Sequence, residues 1–298
     1  MANFSTTTNF YNAPTTVTQN DLKNILAKEY DIKANQISLH NGRKDSLATL
    51  FKNIKEKNVF LYAPIETKYE KAALKAKKNV YHINRLHDPM QAPLEDSIVV
   101  FCNPSTPEGY HELEMAELLD AWIELECSII LDESYIEFEG LTSMRQKVSK
   151  YKKLYIVHSL SKFYACDGVK VSAIFAHKHT TVKLTKEIDT ISSLDLAFLQ
   201  QRILDKSFKE ETLKQHSIQK EKLLEILTQS NLFEEIVESE VNFILTYSKK
   251  AQEIQKNLKK DGLKVYSCEK ITYLSKEWLR FSVQGEEALQ ELQKALKD

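Results

Sequence analysis

The chain has 298 residues, of which 42% are hydrophobic and 28% charged, with a formal net charge of −1. This length and composition indicate a globular protein with one large domain or two ordinary ones. The near-zero net charge argues against a nucleic-acid-binding protein, and no stretch approaches the roughly 18 apolar residues of a membrane helix.

The first part of the chain, residues 1–18, is rich in Thr and Asn rather than apolar, so we expect an N-terminal arm and no signal peptide. The four cysteines show no C-x-x-C spacing, so neither a zinc ribbon nor a disulfide framework is predicted. Reduced thiols are the simplest assumption, and we expect a cytoplasmic protein.

The next predicted elements are a capped helix from about residue 20, a short strand at 36–39 and a turn that opens a second helix. This turn contains Gly42, Arg43 and Lys44. Free backbone N–H groups at such a helix N-terminus, with two cations nearby, can hold a phosphate. An ordinary loop with exposed charges explains the same residues equally well.

Six further apolar runs predict strands that alternate with helices, at 59–62, 80–83, 96–102, 128–131, 154–157 and 171–176. Together with the strand at 36–39, they predict an α/β fold built on a mostly parallel, seven-stranded sheet flanked by helices.

The remainder of the chain predicts two further units. Residues 169–261 contain neither Gly nor Pro, so connecting helices are expected at 194–230. Short strands and helices then alternate in a smaller C-terminal α/β domain at 231–298, which leaves 19–193 as the large domain.

Three consecutive strands of the large domain are followed by polar or charged side chains, Asn103, Asp132 and Lys162. In a right-handed series of parallel strands these ends lie along one edge, where open α/β sheets bind ligands. A solvated lysine after a strand is an ordinary feature, but the three ends together favour a ligand site.

These residue types suit a Schiff-base site for pyridoxal phosphate. Such a site needs a lysine amine, a carboxylate for the ring nitrogen, a donor for the phenolic oxygen, a polar nest for the phosphate and a guanidinium for a substrate carboxylate. The chain offers candidates for each, namely Lys162, Asp132, Tyr135, Ser159, Ser161, Lys170 and Arg280.

Four ordered motifs support this interpretation: NPSTPEG at 103–109, DESYIEF at 132–138, SLSKF at 159–163 and LRFS at 279–282. In this order they resemble the motifs of the fold-type I pyridoxal-phosphate aminotransferases, in particular the histidinol-phosphate aminotransferase-like branch. The resemblance implies pyridoxal 5′-phosphate as the cofactor, small-molecule amino donors and acceptors, and a homodimer with its sites at the subunit interface.

The resemblance also implies a role for each residue. Lys162 would form the Schiff base, Asp132 would pair with the ring nitrogen and Tyr135 would bond the phenolic oxygen. Arg280 would bind the substrate carboxylate. Tyr11 resembles a tyrosine that reaches the partner subunit's site, although a plain anchoring aromatic is an equally good interpretation.

The cofactor phosphate would be held by Ser159, Ser161 and Lys170 together with the Gly42–Arg43 turn. Lys170 stands where the family has an arginine, and a lysine keeps the charge but loses the bidentate geometry.

Two more positions near the expected cofactor depart from the family pattern. Thr106 replaces the asparagine that bonds the phenolic oxygen, whereas Asn103, the first asparagine of the motif, is kept. Glu66 stands where an aromatic residue normally stacks on the ring, and Tyr69 is the nearest aromatic.

Three functions remain open from the sequence. The first is an aminotransferase that moves an amino group between an amino acid, or an amino-alcohol phosphate, and a 2-oxo acid or aldehyde. The second is a decarboxylase resembling threonine-phosphate decarboxylase, because the α-bond that breaks depends on how the substrate lies against the ring. The third is a degenerate, non-catalytic homologue that serves as a binding or dimerisation module.

Overall fold

The computed structural model describes residues 17–88, 91–164, 168–185 and 190–297. The helices in these ranges are α1 Gln19–Glu29, α2 Gly42–Asn53, α3 Lys68–Lys75, α4 Met115–Glu124, α5 Leu160–Phe163, α6 Lys178–Leu184, α7 Ser193–Leu204, α8 Lys206–Gln229, α9 Ala251–Lys260 and α10 Glu286–Ala295. The strands of the first sheet are β1 Ile37–His40, β2 Asn58–Ala63, β3 Asn79–Asn84, β4 Ile98–Cys102, β5 Ser128–Asp132, β6 Leu154–Ser159 and β7 Ser172–Ala176.

These seven strands form one sheet in the order β1-β7-β6-β5-β4-β2-β3. The strands β3, β2, β4, β5 and β6 are parallel to one another, whereas β7 is antiparallel to β6 and β1 is antiparallel to β7. The predicted fold class, a mostly parallel seven-stranded sheet flanked by helices, is therefore confirmed.

The two faces of this sheet contact two separate hydrophobic cores. Phe101 and Leu131 point into the core beneath α1, α4 and α7, while Val100 and Ile130 point into the core beneath α2, α3 and α6. Successive residues of a strand face opposite sides, so a strand covered on both faces needs an unbroken apolar run. This requirement explains the apolar sequences of β4, β5 and β6.

A second sheet contains β8 Glu235–Val237, β9 Phe243–Tyr247, β10 Tyr266–Ser267 and β11 Trp278–Ser282. Its order is β10-β11-β9-β8 and every pairing is antiparallel. Helices α8, α9 and α10 supply apolar side chains to the core on this sheet. The predicted boundaries of the arm, the two domains and the connecting helices stay a prediction. Among the described residues, each helix is too short or too polar to cross a bilayer.

Candidate active site

The ends of β4, β5 and β6 lie side by side along one edge of the large sheet. Cys102 is the register partner of Asp132, and Asp132 is the register partner of Val157. The backbone N–H of Asn103 donates to the carbonyl oxygen of Asp132 at 3.0 Å. The structure therefore brings the three predicted strand ends together.

The Asp132 carboxylate lies at the centre of this edge and is only 2% exposed. Its Oδ1 accepts a hydrogen bond from the backbone N–H of Ser134 at 2.9 Å. Its Oδ2 accepts from the hydroxyl of Tyr69 at 2.6 Å and from Nη1 of Arg43 at 3.4 Å. A buried carboxylate is costly unless donors surround it, so this position favours a cationic or hydrogen-bonding partner.

The sequence did not predict where the side chains of Arg43 and Glu66 lie. The Arg43 guanidinium leaves the N-terminal turn of α2 and donates from Nη2 to the Glu66 carboxylate at 3.1 Å. Glu66 also pairs with Lys68, and its Oε1 lies 3.7 Å from Nη1 of Arg280. An ion-pair chain thus joins Asp132, through Arg43 and Glu66, to Arg280.

Arg280 extends from β11 of the second sheet to the loop that follows β4. Its Nη1 donates to the hydroxyl of Thr106 at 3.0 Å, and its guanidinium lies between the rings of Phe243 and Tyr266, at 4.8 and 4.5 Å from their centroids. Its Nε is buried without a hydrogen-bond partner among the described residues. Such a donor is suited to bind an anionic ligand. The two aromatic residues were not predicted, because they lie far from Arg280 in the sequence.

Serine hydroxyls surround the end of β6. The hydroxyls of Ser159 and Ser161 lie 3.2 Å apart, and the backbone N–H of Ser159 donates to the hydroxyl of Ser134 at 3.0 Å. Tyr135 is buried beside this edge and packs edge-on against Phe243, with ring centroids 5.1 Å apart.

The turn at Gly42 adjoins Lys170, as the predicted phosphate nest requires. Gly42 has a φ of +76°, and a Cβ there would lie 3.5 Å from the Cβ of Lys170. Lys44, in contrast, is exposed and lines a groove with Lys68 and Lys71, so the structure does not bring its side chain to Asp132.

Two other predicted residues, Lys162 and Asn103, have distinct surroundings. Lys162 is exposed on α5, directly after β6. The side-chain amide of Asn103 bonds the backbone of Glu112, at 2.8 and 3.3 Å, and so holds the loop after β4 rather than a ligand. Tyr11 lies outside the described residues.

Burial and neighbouring charge shift the pKa values of the groups around Asp132. Burial, and then the Asp132 charge, raise the pKa of Tyr69 well above its usual value, so its hydroxyl stays protonated and donates. Burial likewise raises the pKa of Cys102 to about 12. Burial alone would lower the pKa of Arg43, but Tyr69 and Asp132 outweigh it and the net shift is upward. Arg43 is therefore a permanent cation.

These features define a buried, charged site at the carboxyl edge of an open α/β sheet. The family model Aminotransferase class I and II matches residues 7–296. The chain therefore belongs to this family, which confirms the predicted cofactor, pyridoxal 5′-phosphate.

Individual known proteins are also similar to this chain, in sequence or in fold. Histidinol-phosphate aminotransferase of Flavobacterium johnsoniae is 28% identical over 244 residues, which cover 76% of this chain and 68% of that protein. Among solved structures, histidinol-phosphate aminotransferase of Clostridium acetobutylicum superposes with a TM-score of 0.83 at 20% identity, covering 94% of this chain and 89% of that one. L-threonine-O-3-phosphate decarboxylase of Porphyromonas gingivalis gives 0.83 at 19% identity, covering 95% and 89%.

Proposed function

We propose that the protein is an aminotransferase that moves an amino group between an amino acid, or an amino-alcohol phosphate, and a 2-oxo acid or aldehyde. The observation that carries this proposal is the buried Asp132 carboxylate at the end of β5, with Lys162 after the neighbouring strand and Arg280 reaching the same edge from the second sheet. A carboxylate, an accessible amine and a guanidinium are the groups that amino-group chemistry on a pyridine cofactor needs.

The residues present fit pyridoxal 5′-phosphate. Asp132 already accepts from a cation and a hydroxyl, so it can accept from a protonated ring nitrogen. The Ser159 and Ser161 hydroxyls, the backbone of the Gly42–Arg43 turn and the ammonium of Lys170 would hold its phosphate. Tyr135 and Thr106 are the candidate donors to its phenolic oxygen, and Tyr69 fixes the Asp132 carboxylate from the side.

When bound, the cofactor supplies an electron sink that stabilises negative charge at the substrate's α-carbon. The Asp132 charge keeps the ring nitrogen protonated, which that sink requires. Lys162 would hold the cofactor through its side-chain amine and would take the proton from the substrate's α-carbon. Arg280 binds the substrate carboxylate and orients the α-hydrogen toward Lys162.

A half-reaction screen tests the reaction type. The cofactor-loaded enzyme is mixed with single amino acids, without an acceptor, and the visible spectrum and the products are recorded. Transamination converts the bound cofactor to its amine form and releases one equivalent of 2-oxo acid per site. A cofactor that none of the amino acids or amino-alcohol phosphates converts would contradict the proposal.

Decarboxylation is the second candidate, since Arg280 would serve it as well and the fold matches a decarboxylase and an aminotransferase equally closely. In the same screen, release of carbon dioxide with the cofactor spectrum restored after each turnover would favour it. A non-catalytic homologue is the third, in view of the changed residues Thr106, Glu66 and Lys170. A protein that stays colourless with added cofactor would favour that alternative.

We further propose a cytosolic homodimer in which Tyr11 of one subunit reaches the site of the other. The buried free thiols of Cys102, Cys127 and Cys268 suit a reducing compartment. Sedimentation of the wild type gives the oligomeric state. Mixed dimers of Tyr11→Phe and Lys162→Ala subunits then test for complementation across the interface, which a monomer or a Tyr11 that acts within its own subunit would not show.

A further inference from the structure

The Arg43 side chain reaches Asp132 and not the phosphate-binding position that its place in the chain suggests. Its backbone belongs to the turn at the N-terminus of α2, but its guanidinium is only 10% exposed and donates to Oδ2 of Asp132 and toward the hydroxyl of Tyr69, both at 3.4 Å. The Arg43 guanidinium therefore binds Oδ2 of Asp132, the carboxylate with which the nitrogen of the cofactor ring would pair.

Glu66 binds the other side of the same guanidinium, at 3.1 Å. Glu66 stands where the family pattern has a ring-stacking aromatic, so the residue that replaces this aromatic contacts Arg43. The charged groups around this pair are Asp132, Lys68 and Arg280.

Three donors of the chain already bind the Asp132 carboxylate. Its Oδ1 accepts from Ser134, and its Oδ2 accepts from Tyr69 and Arg43. A protonated ring nitrogen would be a second cation on this nearly buried carboxylate, next to a guanidinium that stays charged. Two like charges at hydrogen-bonding distance in a buried site repel each other, so they compete for the same oxygen.

We propose that Arg43 competes with the cofactor ring for Asp132, and that Glu66 retains the Arg43 guanidinium when the ring takes its place. This inference rests on the proposed cofactor site. Arg43 is thus a positioning residue that sets how tightly the protein holds its cofactor. Before loading, the Arg43 guanidinium is the cation paired with the buried carboxylate.

Cofactor titration of purified, cofactor-free protein tests the proposal, with visible absorption and tryptophan fluorescence as readouts. Arg43→Gln removes the competitor, so its dissociation constant for pyridoxal 5′-phosphate falls about tenfold, the scale of one hydrogen bond to a charged group. Glu66→Gln removes the alternative partner and leaves Arg43 on Asp132, so this constant rises. Lys71→Gln removes one positive charge from the exposed face of α3 and leaves the constant unchanged.

The opposite assignment is that Arg43 is a phosphate ligand, as its place in the turn suggests. Arg43→Gln would then bind the cofactor more weakly, and this result, or an unchanged constant, overturns the proposal. Arg43→Met, which removes the charge and keeps an unbranched side chain, provides a second variant should Arg43→Gln fail to fold. It is expected to bind more tightly than the wild type, and weaker or equal binding contradicts the competition.

The cofactor site and the competition fail in different ways. If neither the wild type nor the Arg43 variants bind the cofactor, both are wrong. If the wild type binds and the Arg43 variants bind no more tightly, only the competition is wrong. The heat-induced unfolding midpoint adds a second readout, because Asp132 loses its ion pair with Arg43 in the variant, whose midpoint therefore rises more than that of the wild type when the cofactor is added.

Discussion

At the scale of single residues, Arg280 joins the two sheets, and its Nε has no hydrogen-bond partner within the described part of the chain. Its guanidinium is held between two aromatic rings and by the Thr106 hydroxyl, which fixes the planar group and leaves Nε for a ligand. Planar, bidentate geometry distinguishes arginine from lysine at such a position.

Arg280→Lys should therefore raise the KM for the amino donor by about tenfold or more, because the ammonium keeps the charge but cannot bind both carboxylate oxygens. Steady-state kinetics with the donor found in the half-reaction screen measures this effect. Arg202→Lys on α7 is the matched control and should leave the KM unchanged. An unaltered KM in Arg280→Lys would mean that another group binds the substrate carboxylate.

His158 affects stability rather than chemistry. Its ring is fully buried against Tyr30 and Phe175, and burial, followed by the charge of Arg145, lowers its pKa to about 4. Glu137, 4.0 Å away, partly opposes this shift. The folded protein therefore holds a neutral imidazole at pH values where the unfolded chain, with a pKa near 6.5, binds a proton.

The unfolded state binds more protons between pH 6.5 and about 4, so the free energy of unfolding falls as the pH falls through this window. The loss attributable to His158 is on the order of 3 kcal/mol at most. His158→Phe should flatten the pH dependence of the urea midpoint between pH 7 and 5, whereas the exposed His87→Asn should not. An unchanged slope in His158→Phe would assign the dependence to other groups.

The sequence predicted Lys162, Asp132 and Arg280 because each lies at a strand end or within a motif. It did not predict the direction of the Arg43 side chain. That direction depends on contacts with Glu66 and Asp132, which are distant in sequence, and a local pattern carries no information on such contacts.

At the scale of elements, the sequence at the start of α1 is sufficient to predict where this helix begins. The Thr18 hydroxyl accepts from the backbone N–H of Asp21 at 3.2 Å, and the Asp21 carboxylate accepts from the backbone N–H of Thr18 at 2.8 Å. This reciprocal capping box satisfies two backbone N–H donors that have no partner within the helix.

In contrast, the sequence did not predict β8, because Glu235–Val237 has only three residues and no buried side chain.

Thr18→Ala should lower the free energy of unfolding by about 1 kcal/mol, because the Asp21 N–H loses its side-chain acceptor. Urea unfolding at neutral pH measures this change. Thr18→Ser keeps the hydroxyl and serves as the control. Equal midpoints for Thr18→Ala and the wild type would show that the cap contributes nothing to global stability.

At the scale of the whole molecule, the loop after β4 connects the large sheet to the segment that leads into β9. Gly109 has a φ of +82°, and a Cβ there would lie 2.1 Å from the hydroxyl of Ser239 and 2.9 Å from Cγ2 of Val241. Its carbonyl oxygen accepts from the backbone N–H of Glu240 at 2.9 Å. The same loop carries Thr106, so this contact and the Arg280 bond hold the two sheets together.

Gly109→Ala should destabilise the protein by about 3 kcal/mol or more, since it combines a strained φ with a steric clash. Gly262→Ala is the control. Its φ is +80° and a Cβ there meets no atom within 4 Å, so it isolates the backbone strain. Urea midpoints that fall equally in both variants would show that the close approach at Gly109 carries no energy.

The fold class was predictable because alternation of apolar runs and helices depends on local periodicity. The arrangement of one sheet against the other was not, because it depends on contacts such as Gly109 with Ser239, between residues on different elements.

We expect the Lys162 amine to bind the cofactor carbonyl beside Asp132. Borohydride reduction of the cofactor-loaded protein, followed by proteolysis and mass spectrometry, locates this bond because reduction makes it permanent. We expect one pyridoxyl group per chain, on Lys162, and none at this position in Lys162→Ala. An unmodified Lys162, or label spread over the exposed lysines, would contradict the assignment of Lys162 as the cofactor-binding amine.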